Sequence, residues 1–91
     1  MSSQAFLQKV RDLHARGAHL AGIEALNAPA LLRLTYYFVV EGKNERVPLD
    51  TEEGTAPSLI HLYGWADFLE RSLHRTHQIK FVGNPNLDIG F

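Results

Sequence analysis

Glu70, His74 and His77 stand four and three residues apart in a stretch that reads as helix. At that spacing side chains gather near one helix face, where they could converge on a metal ion or share a proton in acid–base work. A plainer reading competes. Polar and cationic side chains near a helix C-terminus suit its dipole, and patterns this short recur by chance. The helix should end near Thr76, which turns His77 elsewhere, so a solvated helix end is the expectation and no metal ligand is assigned. His14, His19 and His61 are isolated and read as surface or core residues. Glu70 and Arg71 are adjacent, do not face each other on a helix, and are either solvated or reach charged groups of another protein. Tyr63, Trp65 and Phe68 are open to the same two readings, core or interface anchor. Lys43 and Arg46, near an expected hairpin tip, read as solubilising.

Other chemistry is excluded more firmly. No serine sits in a nucleophile-elbow pattern, and Gly83-Asn-Pro-Asn86 is not a phosphate-cradling loop. With no cysteine there is no disulfide, thiolate zinc site, iron–sulfur ligand or thiol nucleophile. A net charge of −1 offers no field for a phosphate backbone. No catalytic residue and no cofactor is therefore expected. The chain has 91 residues, 45% hydrophobic and 21% charged, which fits one small soluble domain over 1–91. The N-terminus lacks a signal peptide's charged start and apolar core, and no apolar run approaches a membrane span. A cytoplasmic location is expected, with any membrane contact made through other subunits.

These residues need elements to hold them. Ser2 or Ser3 can cap a first helix, whose apolar stripe is Phe6, Val10 and Leu13, ending at Gly17. Leu20 to Leu26 reads as a short strand, with Ala21, Ile23 and Ala25 on one face and Leu20, Glu24 and Leu26 on the other. Leu31 to Val40 is the strongest strand signal, apolar on both faces, which suggests a central position. Glu41-Gly-Lys-Asn44 turns the chain, and Glu45 to Thr51 returns with Pro48 favouring an edge. Glu52 to Thr55 reads as a polar loop. Ser58 can cap a helical turn through Tyr63, and Trp65 to about Thr76 forms the second helix on Ala66, Leu69 and Leu73. Ile79 to Val82 fits a last strand before a tail from Leu87. The order α-β-β-β-α-β predicts a two-layer α+β domain, a mixed sheet of about four strands with two helices on one face.

Ala56-Pro-Ser-Leu-Ile-His-Leu-Tyr-Gly-Trp-Ala-Asp-Phe-Leu-Glu-Arg71 resembles a hallmark stretch of the complex I 30 kDa subunit family. That family includes the corresponding small subunit of bacterial NADH-quinone oxidoreductase and small subunits of membrane-bound [NiFe] hydrogenases. Its pattern is a Pro-Ser start, a short turn, then Ala-Asn/Asp-aromatic-Leu-Glu-Arg-Glu. Here Pro57, Ser58, Ala66, Asp67, Phe68, Leu69, Glu70 and Arg71 match it. Further on the chain keeps Ile79, Phe81, Gly83, Pro85 and Leu87. It departs at Ser72 (family Glu), Arg75 (Asp), His77 (aromatic), Gln78 (Gly), Asn84 (His) and Asn86 (Asp).

The resemblance implies a cofactor-free accessory subunit of a complex I-like NADH-quinone oxidoreductase or energy-converting [NiFe] hydrogenase. It would pack against a large hydrogenase-like subunit of the complex I 49 kDa type, peripheral to the inner face of the cell membrane. The stretch around Glu70-Arg71 then becomes a candidate partner interface, with Trp65, Asp67, Glu70, Arg71 and His74 as its residues. The departures at Ser72, Arg75 and Gln78 keep a second reading open, a stand-alone interaction or regulatory domain that kept the fold but lost the complex. Replacing glycine by Gln78 should also remove easy access to a left-handed helix end.

Overall fold

The computed structural model describes residues 3–27, 31–51 and 54–88. Helix α1 spans Ser3–Ala15 and buries Phe6, Val10 and Leu13 on one stripe. It closes at Gly17, whose φ of 82° is the left-handed geometry glycine supplies without strain. The expected Ser2 cap lies outside the described residues.

Strands β1 (His19–Asn27), β2 (Leu32–Val40) and β3 (Lys43–Thr51) form an antiparallel sheet in the order β1-β2-β3. β2 is central, as its apolar character predicts. Its Leu34, Tyr36, Phe38 and Val40 are fully buried, while Thr35, Tyr37 and Val39 on the other face are only half-buried. Pro48 lies on β3, an edge strand of this sheet, where a missing N–H costs little. The turn at Glu41 and Gly42 has positive φ at both residues, 53° and 75°, the pattern of a tight hairpin.

β1 departs from the simple alternation. Its register with β2 shifts between Leu20 and Gly22, a β-bulge. The extra residue reverses the faces, so Leu20 is buried before the bulge, while Ile23 and Ala25 pack on the core after it. Leu26, expected to share a face with Leu20, is 61% exposed.

The polar loop expected through Thr55 gives way there to a fifth strand. β4 (Thr55–Pro57) pairs in parallel with β5 (Lys80–Val82), outside the three-stranded sheet. Between them lie a helical turn at Leu59–Tyr63 and helix α2 (Ala66–His77). The α+β class holds, its mixed strand directions divided between an antiparallel sheet and a parallel pair. Both helices feed one core with Leu20, Val47, Leu49, Ala56, Leu59, Ile79 and Phe81. Tyr63 ties the ends of this core together, its hydroxyl donating to the Ala18 carbonyl at 2.8 Å and its ring meeting His14 edge-on.

Candidate functional site: the α2 clasp and its outer stripe

α2 is entered without a side-chain cap. Instead the Ala66 and Asp67 amides donate to the Tyr63 and Gly64 carbonyls in the turn before it. Asp67 in the first turn and His74, Arg75 and His77 in the last suit the helix dipole. The helix ends at Gln78, which adopts the left-handed conformation (φ 54°, ψ 36°) and donates its amide to the His74 carbonyl at 3.0 Å. The expectation that glutamine would lose this geometry is therefore corrected. Packing imposes it, and glutamine lacks the β-branching that would make it prohibitive.

Glu70 lies fully inside the protein. Its Oε1 accepts from the Ser58 hydroxyl at 2.6 Å and the Asn84 amide at 2.9 Å; its Oε2 accepts from the Leu59 N–H at 2.8 Å. One carboxylate thus clasps the turn after β4, helix α2 and the loop after β5. Burial pushes its pKa up, and the three donors, which favour the charged form, pull only part of the way back. Ser58 Oγ also accepts from the Ile60 amide at 3.2 Å, so it starts the helical turn as expected and reaches Glu70 as well. Asn84 Oδ1 accepts from the Asn86 amide at 2.8 Å, fixing the loop that presents its NH2 group. The buried Tyr36 hydroxyl has no hydrogen-bond partner among the described residues, and burial with the nearby Glu70 charge holds it protonated.

The other expected interface residues do not gather on one surface. Asp67 and Arg71 are half-buried and pair at 3.4 Å, with Asn86 donating to Asp67 at 3.3 Å. His74 shares their flank. Its Nδ1 lies 2.8 Å from the Ile79 carbonyl, which can only accept, so Nδ1 carries the proton and Nε2 faces Asp88 at 3.4 Å. Trp65 is on the other side, 51% exposed and stacked on Phe68 with ring centroids 5.5 Å apart. Helical spacing continues this line through Ser72, Arg75 and Thr76, which with Phe68 border a groove.

Glu70, His74 and His77 do not converge. Thr76 Oγ1 donates to the Ser72 carbonyl and lies 2.8 Å from His77 Nδ1, so that nitrogen is committed locally. Among the described residues no three His, Asp or Glu side chains are placed to hold a metal ion. Ser58 and Asn84, the partners of Glu70, were missed as site residues. Phe68, the stacking partner of Trp65, is open to an interface reading in the sequence but is not among the expected interface residues.

Two residues of the clasp, Ser58 and Glu70, match the Pro57 to Leu87 pattern, while Asn84 is one of its departures, and a family model agrees with the resemblance. The model for the respiratory-chain NADH dehydrogenase 30 kDa subunit matches residues 2–89. The chain belongs to the 30 kDa subunit family. Among solved structures, it is similar to Nqo5 as a trypsin-resistant fragment (1–134), with a TM-score of 0.83 and 24% identity. The match covers 93% of this chain and 77% of that one, and at this identity it speaks to the fold. No curated protein sequence matches significantly. Within the 30 kDa subunit family, then, this copy places its signature glutamate inside the domain. No described helix is long and apolar enough to cross a membrane.

Proposed function

We propose that the chain is an accessory subunit of a complex I-like NADH-quinone oxidoreductase or a related energy-converting [NiFe] hydrogenase, without a cofactor of its own. It packs against a large subunit of the 49 kDa type and stays peripheral to the inner face of the membrane through that complex. The observation that carries the reading is the stacked Trp65–Phe68 pair, about half exposed on a helix that the Glu70 clasp locks in place. Two large apolar rings held in water on a rigid element suit an interface anchor. Trp65 makes the direct contact with Phe68 beside it, Glu70 acts from inside by positioning the helix, and Asp67, Arg71 and His74 hold the opposite flank of the helix to the chain beyond it. Family membership supports the complex. The test is co-purification from native cells. The wild-type chain brings down the large subunit, and Trp65→Ser with Phe68→Ser reduces its recovery about tenfold or more at unchanged melting temperature. Recovery of the wild-type chain as a free monomer, with the large subunit assembled elsewhere, overturns the reading.

A further inference from the structure

The face of the three-stranded sheet turned away from the helices carries a second, independent feature. Register places Gly22, Tyr37 and Arg46 in one row across β1, β2 and β3, with Val39 and Asn44 in the next. Tyr37, Asn44 and Arg46 border an open concavity of about 410 Å³. Gly22 offers no side chain beside Tyr37, and a Cβ there would meet nothing within 4 Å, so the ring is open on the β1 side.

Charge on this face is unbalanced at one point. Asp50 is taken by Arg33, with guanidinium-to-carboxylate distances of 2.7 and 3.2 Å. Glu24 is on β1, two strands from Arg46, which puts roughly 10 Å of sheet between them. Arg46 makes no hydrogen bond or ion pair with a described residue. Its five donors, the Tyr37 hydroxyl and the Asn44 amide therefore border one hollow with no acid facing them among the described residues. A planar guanidinium matches a carboxylate bidentately, and Arg and Tyr are residues that dominate interface energetics.

We propose that this face docks a partner protein through an Asp- or Glu-bearing segment, whose carboxylate pairs with Arg46 while its adjoining chain lies over Tyr37 beside Gly22. The surface is distinct from α2's outer stripe, so the chain offers a second docking face.

The experiment places the photo-crosslinker p-benzoylphenylalanine at Tyr37 in the full chain in native cells, with the same reporter at Trp65 in a parallel strain. The expected Tyr37 adduct maps to a partner segment beside an Asp or Glu. Arg46→Glu lowers its yield about tenfold or more, and changing that partner acid to Lys restores it. An unchanged yield in Arg46→Glu overturns the proposal, as does an adduct on a segment without an acid, one formed only with a second copy, or none. Arg46→Gln, with its melting temperature checked, is the milder variant and should lower the yield in the same direction. The Trp65 adduct reports on the α2 interface separately, so either reading can fail while the other stands.

Discussion

Glu70 is a carboxylate buried inside the protein and held by donors from two other stretches of chain. Its spacing to His74 and His77 suggests a ligand set, and its neighbour Arg71 suggests a charged surface. Yet Glu70 also lies four residues after Ala66 and three before Leu73, on the edge of the apolar stripe. That position is the legible sign of burial. The donors that make burial tolerable are 11 to 14 residues away, at Ser58, Leu59 and Asn84, and no local pattern reveals them. Glu70→Gln puts an NH2 group against at least one of these donors and should cost about 1–3 kcal/mol in urea unfolding. The pH dependence has a definite sign. The folded carboxyl has a raised pKa, so the folded state holds the proton more tightly than the unfolded chain. Its contribution is greatest below the ordinary carboxylate range and falls as pH rises through the raised value. The stability gap between wild type and Glu70→Gln should therefore narrow from acid towards neutral pH. Asp50, lowered by Arg33, acts in the opposite direction but is present in both proteins and cancels from the gap.

Elements with their own periodicity were legible. The α1 stripe, the apolar β2, the hairpin after it and the edge position of Pro48 each follow from local residues. The β1 bulge and the β4–β5 pair were not. A bulge depends on register with a neighbour, and β4 is three residues ending in proline, paired with a strand some 25 positions on. The end of α2 was legible in place but not in conformation. Gln78 sits at φ 54° because the Ile79 and Phe81 side chains beyond it must enter the core. Glycine takes that conformation without the steric cost. Gln78→Gly should raise stability by about 0.5–1 kcal/mol, read as a higher denaturant midpoint at unchanged slope. A fall would mean that the glutamine side chain makes compensating contacts.

On the scale of the whole molecule, the two helices close one side of the sheet and leave the other half-covered. The class and the order of most elements were legible, because amphipathic stripes state which faces must be buried. Which uncovered surface meets which neighbour was not, because an exposed aromatic and an exposed arginine are ordinary until their surroundings are known. The clasp has a consequence for how the molecule opens. Through Glu70 and the β4–β5 pairing, the amides of Ser58, Leu59 and Lys80 are secured by bonds that join three stretches of chain. These amides should exchange with solvent deuterium as one cooperative unit, separate from the β1–β3 hairpins. Glu70→Gln should speed all three together and leave the hairpin amides at their own pace. The signature of the family would then mark the boundary of a unit that unfolds on its own.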